Sequence, residues 1–451
     1  MPDIVRISRL DVKNSHPEAK ASTWRDFLGP CYRVTGHRRS ERMSLAASLA
    51  NPAPQSRIAS IDLIRGAVMV VMAIDHVRVY SGLPAGGPTP GIFFTRWITH
   101  FCAPAFIFLA GTSIFLYARK HADVSGGLSQ YLLIRGAWLI FLELTFLRVA
   151  WTFNFDFRHY EMAGVIWVIG VCMILMAGLV KLPVPVVGAI GVIIVAAHNL
   201  MDSHLGKLLD GFDQNPLSGL WKIFYVGFFA GPVRFGPNGP NLTVLYSIVP
   251  WIGVMAAGYA FGKILTFEPT RRKRVCLAIG LSAIALFLIL RGFNLYGDPR
   301  PWHVSVVGRK GAPPMPALFS FLNTTKYPAS LDFLLMTLGP IITLLPLVEG
   351  FNGAIARRIT LFGRVPFFYY MLHIPLIHAL ALIVSKIRLG FVSPWLFTNH
   401  PMGNPEPPED YVWSLPLLYL IWAIAIVLLY FACRWFAALK AKRTDWWLQY
   451  L

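Results

Sequence analysis

Ten apolar stretches, each close to twenty residues long, follow one another along this chain, and they leave it few ways to fold. Their approximate limits are 58–80, 92–117, 131–150, 162–180, 182–200, 242–263, 275–294, 328–349, 365–387 and 412–436. About 20 apolar residues are what a helix needs to cross the hydrocarbon core of a bilayer. The reading is therefore an all-α, polytopic integral membrane protein of about ten transmembrane helices. Charged residues make up 14% of the chain, against about a quarter in soluble domains. The formal charge of +19 does not point to nucleic acid, because the basic residues sit in loops and tails between the apolar runs. Aromatics at 14% suit a chain with two interfaces to line. Five cysteines, at 31, 102, 172, 276 and 433, have no paired spacing, so neither a disulfide framework nor a metal site is expected.

Residues 1–56 differ from the rest of the chain. They hold nine Lys or Arg against five Asp or Glu and no apolar run. They read as a basic, disordered cytoplasmic tail, or as an over-long gene model whose true start is Met43 rather than Met1. No signal peptide is visible. The membrane domain is 57–437, and 438–451 is a second cytoplasmic tail. Residues 218–235 are apolar but broken by glycine and lysine, which suits an interfacial or re-entrant segment better than a further span. Orientation is set by the basic residues. With the N-terminus inside, the inner loops and C-terminal tail carry 13 Lys and Arg, and the longer outer loops carry 9. Both termini are then cytoplasmic, in the inner (plasma) membrane of a cell.

The first apolar stretch is also polar at chosen places. Arg65 and His76 are eleven residues apart, roughly three helical turns, so both point the same way about 16 Å apart along the axis. Asp62, Met69 and Met72 share the stripe, and Asp75 adjoins His76. Ionisable groups inside a bilayer are costly and mark functional sites by default. Depth can be assigned to the others. Arg135 and Arg364 lie at the inner ends of their helices, Glu143 is central, and His100 lies at a depth comparable to His76 with Arg96 one turn above it. His373 lies two turns into the ninth stretch with Tyr369 one turn below, a possible polar relay. His378 points about 140° away from His373. The inner half is thus cationic and the outer half offers imidazoles. That gradient suits an anionic, phosphate-bearing donor on one side and proton chemistry near the other.

Several stretches resemble the bacterial members of the heparan-alpha-glucosaminide N-acetyltransferase catalytic-domain family, within the transmembrane acyltransferases. They are Arg57-Ile-Ala-Ser-Ile-Asp-Leu-Ile-Arg-Gly66 running to Ala73-Ile-Asp-His-Val-Arg78, and Phe94-Thr-Arg-Trp-Ile-Thr-His-Phe-Cys-Ala-Pro-Ala-Phe-Ile-Phe-Leu-Ala-Gly111. Pro250-Trp-Ile-Gly-Val-Met-Ala-Ala-Gly-Tyr259, Phe321-Leu-Asn-Thr-Thr-Lys-Tyr-Pro-Ala-Ser-Leu331 and Gly363-Arg-Val-Pro-Phe-Phe-Tyr-Tyr-Met-Leu-His373 are similar too. The resemblance covers about 57–436. It implies acetyl-CoA bound from the cytoplasm and transfer of its acetyl group to an amine or hydroxyl of a glycan or other envelope acceptor on the far side. The lysosomal relatives keep their catalytic histidine in the loop after the first conserved helix, whereas residues 81–91 here contain none. His76 and His100 are therefore rival candidates for the base.

The resulting assignment has His76 or His100 as catalytic base and Arg65, Arg135 and Arg364 on the phosphates of the donor. Asp62, Asp75, Arg96, Glu143, Asn323, Lys326, Tyr369 and His373 support the site or the acceptor. Acetyl-CoA is the one small molecule called for, with no metal; a homodimer is compatible. Each residue also has a structural alternative. Arg65 could pair only with Asp62, and His100 with Arg96 could snorkel at the rim. Glu143 could neutralise an arginine of a neighbouring helix, Asn323 and Lys326 could cap the eighth helix, and the methionines could simply pack. At the level of the whole chain, a transporter or flippase could use the same polar lining, although no internal repeat relates the two halves. A non-catalytic membrane scaffold is the third reading.

Overall fold

A computed structural model of the chain describes residues 58–120, 127–202, 218–236, 239–303, 315–402, 405–443, 445 and 448. The expectations for the tail 1–56, for Met43 and for most of 438–451 lie outside the described residues. Those that are described fall in one compact unit, Ile58–Leu451.

Every one of the ten expected stretches contains a helix. In chain order these are α1 (Ala59–Ser81), α2 (Pro90–Lys120, with a tight 3₁₀ turn at Ile98–Phe101) and α3 (Gly127–Leu142, carried through a π turn at Glu143–Leu147 into Arg148–Thr152). Then come α4 (Val165–Leu179), α5 (Val184–Met201), α6 (Ile248–Ile264), α7 (Pro269–Gly292) and α8 (Leu331–Leu347). The amphipathic α9 (Ala354–Arg364) is followed by α10 (Pro366–Leu389) and α11 (Leu415–Lys442). Among the described residues, α2, α5, α7, α10 and α11 are long and apolar enough to cross a membrane, and α4, α6 and α8 are shorter apolar helices. Only 22% of the most apolar window in each of α5, α7 and α11 is buried. Val192, Ile193, Leu281, Leu288, Val427 and Phe431 are among the side chains left facing outward. Apolar faces of that extent are untenable in water and ordinary against lipid.

In lipid, helix association has little hydrophobic drive and depends on close packing at small residues. The chain supplies glycines where helices cross. A Cβ on Gly66 of α1 would lie 2.0 Å from the carbonyl oxygen of Ile359 in α9, and one on Gly363 would lie 1.8 Å from that of Asp62. α2 and α6 meet in the same way at Gly111 and Gly258, where Thr112 Oγ1 also donates to Gly258 O at 3.0 Å. A side chain at any of these positions would force the helices apart and misplace Arg65, which lies beside the first crossing.

Two findings depart from the sequence reading. The fold is mostly helical but not purely so: Glu161–Ala163 (β1), Val233–Arg234 (β2) and Asn241–Val244 (β3) form a small sheet, with β3 parallel to β1 and antiparallel to β2. Its strands are two to four residues long, too short for any periodicity to announce them. They take up the starts of the stretches 162–180 and 242–263, whose helices begin only at Val165 and Ile248. Residues 354–364, expected as an inner connector, are α9, packed on α1. The broken segment 218–235 is a helical turn, a π turn and a 3₁₀ turn leading into β2. Tyr225 anchors it, donating to Asp202 Oδ1 at 2.6 Å.

The loops gather at two ends. Residues 350–359 meet Leu63, and Arg272 pairs with Glu349, at the end that carries Asp62 and Arg65. At the other end, Trp413 N donates to Ser81 O, Tyr411 to Tyr80 O, and the buried Arg148 ties 154, 156 and 160 together through bonds of 2.6–3.1 Å. Gly82, with φ +74°, ends α1 there in the left-handed conformation that glycine tolerates.

Candidate functional site

The stripe on α1 separates two cavities. One, of about 350 Å³, is lined by Arg65, Met69, Ser113, Tyr117, Tyr131, Arg135, Phe367 and Tyr370 among others. The other, of about 580 Å³, is lined by Asp75, His76, Arg78, Arg96, Glu143, Trp151, Tyr246, Tyr327, Tyr370, Trp395 and His400 among others. Tyr370 and Val165 line both. A junction of about 40 Å³ lies between them, walled by Met72, Asp75, His76, Thr99, Cys102, Phe106, Tyr246 and Lys326. Phe106 also belongs to the arginine cavity, and His76 to the histidine cavity.

In the arginine cavity, Arg65 Nη2 donates to Ser113 Oγ at 2.9 Å, and Nη1 lies 3.4 Å from both Asp62 Oδ1 and Gly363 O. Arg65 thus pairs with Asp62 and lines the cavity at the same time. The guanidinium of Arg135 lies 5.0 Å from the centre of the Phe367 ring. Two helices far apart in sequence therefore bring two guanidiniums to one apolar-walled space. Arg364 does not join them: it is exposed at the end of α9 and outside the lining. Met69 and Met72 are buried, one in this wall and one in the junction.

His76 Nδ1 lies 2.6 Å from Nε2 of His373. His373 is fully buried, with its Nδ1 2.6 Å from Tyr370 O and 3.2 Å from Tyr369 O. A carbonyl can only accept, so His373 Nδ1 carries a proton and its Nε2 is an acceptor. His76 Nδ1 must then donate to it, and Nε2 of His76 is left with its lone pair. Trp151 holds the ring edge-on at 4.9 Å. The relay expected through Tyr369 takes another form, since the Tyr369 hydroxyl donates to Met69 O at 2.9 Å. His378 is apart, as its direction implied, held by Ala150 O and Leu396 O.

Asp75 is clamped from both sides. Arg78 Nε donates to Oδ1 and Arg96 Nη1 to Oδ2, each at 2.9 Å. Arg96 is therefore a strut between α1 and α2 rather than a snorkelling partner of His100. His100 is buried in the 3₁₀ turn of α2, its ring 5.5 Å from Phe333, and it lines neither cavity nor junction. Among the described residues Glu143 has no arginine partner. The π turn swings its carboxylate toward the start of α4, near the backbone N–H groups of Gly164, Ile166 and Trp167, and its buried Oε2 has no hydrogen-bond partner among the described residues. It faces the N-terminal end of α4 while lining the histidine cavity. A Cβ on Gly164 would lie 2.3 Å from Oε1.

Asn323 and Lys326 do not cap α8. Ser330 does, its Oγ accepting from Phe333 N at 3.1 Å. Asn323 is exposed, with its amide 4.0 Å from Met315 Sδ. Lys326 is buried in the junction, its Nζ 5.1 Å and 6.0 Å from the centres of the Tyr327 and Tyr246 rings.

Sequence reasoning missed the aromatic wall of the histidine cavity, Arg78, and the loop histidine His400. His400 packs 4.1 Å from the Trp395 ring, and burial pushes its imidazole down to about 3, with His378 adding to the effect. Nearby in the same set of loops, burial pushes the Glu161 carboxyl up to about 7 against the pull of Arg148. Among the described residues no group of three or more His, Cys, Asp or Glu is placed to hold a metal ion.

Residues 57–295 match the family model for the catalytic region of heparan-alpha-glucosaminide N-acetyltransferase. That is more than half the chain, which belongs to this family. No curated protein sequence matches the chain. The matched part carries Arg65, Asp75, His76, Arg96, Arg135 and Glu143. Lys326, Tyr370 and His373, beyond it, complete the same three spaces.

Proposed function

We propose that this chain is an integral membrane acetyltransferase of ten spans, with both termini cytoplasmic. It takes the acetyl group of cytoplasmic acetyl-CoA and passes it to an amine or hydroxyl of a glycan or envelope acceptor on the far side of the inner membrane. One observation carries the reading: an imidazole with a free Nε2 stands where two cavities from opposite ends of the bundle converge. The arginine cavity suits the donor, because Arg65 and Arg135 offer charge-assisted bonds to phosphate and the apolar walls suit a pantetheine arm. The histidine cavity suits a sugar, because aromatic faces and hydrogen-bonding groups alternate around it.

His76 then serves as general base. As the acceptor nitrogen or oxygen attacks the thioester carbonyl carbon, Nε2 takes its proton. The carbon–sulfur bond breaks, and the imidazolium returns the proton to the departing CoA thiolate. Neither substrate crosses the membrane. The junction, far smaller than either cavity, supports transfer over transport.

The reading requires opposite sidedness of the two ends. In a background lacking the native cysteines, a cysteine replacing the exposed Phe155, at the His76 end, should react with a membrane-impermeant maleimide in intact cells. One replacing the exposed Gly353, at the Arg65 end, should not. The reverse pattern would put the proton chemistry on the cytoplasmic side and end the case for transfer across the membrane.

A further inference from the structure

We infer that Lys326 stabilises the oxyanion of the transfer reaction, donating from Nζ to the thioester oxygen as the acceptor adds. The inference rests on the acetyltransferase reading above and gives a role to a residue outside the segment that matches the family.

Lys326 is 8% exposed. Asp75 is the carboxylate that shares the junction with it, and both oxygens of Asp75 are already taken by Arg78 and Arg96 at 2.9 Å. Among the described residues Lys326 forms no ion pair; the faces of Tyr246 and Tyr327 hold it. A buried ammonium without a direct ion-pair partner is expensive. Such a charge is worth keeping where negative charge develops during a reaction, because a preorganised cation in a dry site needs no reorganisation when the charge appears.

Lys326 and His76 wall the same 40 Å³ space. A thioester reaching it from the arginine cavity would present its carbonyl carbon below His76 and its oxygen into the junction. As the acceptor adds, its proton passes to His76 Nε2 and the carbonyl π electrons move onto oxygen, where the Lys326 ammonium meets them. Collapse restores the C=O bond, breaks the C–S bond, and expels CoA thiolate, which recovers the proton from His76. Arg78 and Arg96 are poor substitutes, because each is turned toward Asp75.

The test uses the full chain purified in detergent, with acetyl-CoA labelled with ¹³C at the carbonyl as probe. Binding is followed by calorimetry and the thioester stretch by infrared difference spectroscopy. In the wild type and in His76→Ala, the bound carbonyl band should move to lower wavenumber than in free acetyl-CoA. In Lys326→Met it should return to the free position with affinity little changed, and Lys326→Arg should restore part of the shift and establish that the site still folds. With D-glucosamine as acceptor, Lys326→Met should lose about 10²–10³-fold in kcat with KM for acetyl-CoA nearly constant. Identical bands in the wild type and Lys326→Met would overturn the assignment while leaving the acetyltransferase reading intact. A wild type that does not bind acetyl-CoA would overturn both, and the binding trace identifies that case.

Discussion

The arginine cavity and the histidine cavity are built differently. The first is walled throughout by side chains of α1, α2, α3, α4 and α10. The second takes much of its wall from connections, at 82–85, at 245–246 beside the small sheet, and at 395–407. Helices crossing at glycines hold their side chains in fixed register, whereas connections can vary without disturbing the bundle. One end is thus suited to a single invariant partner, which acetyl-CoA would be. The other is suited to an acceptor that changes from one chain to the next. His76 lines the histidine cavity and the junction that leads from it to the other, and the effects of substitution should fall from this residue toward those that line one cavity away from the junction.

The largest effect is expected at the imidazole of the junction. His76→Gln should reduce kcat by about 10²–10⁴-fold while acetyl-CoA binding, measured by calorimetry, stays near the wild-type value. His373 is a positioning residue that acts through His76. His373→Phe should cost about tenfold to a hundredfold, the scale of losing an orienting partner of a functional histidine. His373→Gln can still accept from His76 Nδ1 and should recover most of that loss. Should His100→Ala be inactive and His76→Gln active, the tautomer chain from Tyr370 through His373 would have no catalytic meaning and the base would lie in α2.

Next come the arginines of the helix-built end. Each charge-assisted bond to phosphate is worth about 1.5–3 kcal/mol, roughly ten- to a hundredfold in Kd. Arg65→Ala and Arg135→Ala should each weaken acetyl-CoA binding by that order, with a reduced dependence on salt. KM for the acceptor should not follow. Arg364→Ala, exposed and outside the cavity wall, should change Kd by less than either. Loss of acceptor KM in Arg65→Ala would show that the two ends are coupled, and the contrast between them would have to be withdrawn.

Parts of this arrangement were legible in the sequence for physical reasons. The helix repeat puts Arg65, Met69, Met72 and His76 on one stripe, so depth along α1 could be read directly. Placing Arg65 and Arg135 at the same end needed only the alternation of helices. What could not be read were contacts between partners far apart in the chain. His373 lies 297 residues from His76, and nothing in either helix reveals which face will meet the other until crossings such as Gly66 with α9 fix the helix positions. Asp75 looked like a neighbour of His76 and proved to be the anchor of two arginines. Lys326 looked like a loop residue because its segment carries no period, yet that segment folds back into the junction. The sheet escaped because three residues cannot show alternation.

The smallest expected effect belongs to the loop-built end and comes from its two displaced ionisations. His400, held down to about 3 by burial, binds a proton more readily unfolded than folded. Its contribution to stability is present above its ordinary value near 6.5 and is lost as pH falls from there toward 3. Between pH 7 and pH 5 that loss amounts to at most about 2 kcal/mol. Glu161 works in the opposite direction. Its carboxyl, raised to about 7 by burial, is protonated more readily folded, so its contribution is present below about 4.5 and is lost as pH rises through 7. It is half-buried and partly screened, so its effect is the smaller of the two. The opposing slopes should leave the wild type with a shallow acid limb. His400→Phe should then gain thermal stability relative to the wild type on moving from pH 7 to pH 5, and Glu161→Gln should lose it. Parallel curves for both variants would mean that these loops open to water in the folded protein. The histidine cavity would then lack the dry wall that the structure gives it, and an acceptor would have to bring its own order on binding.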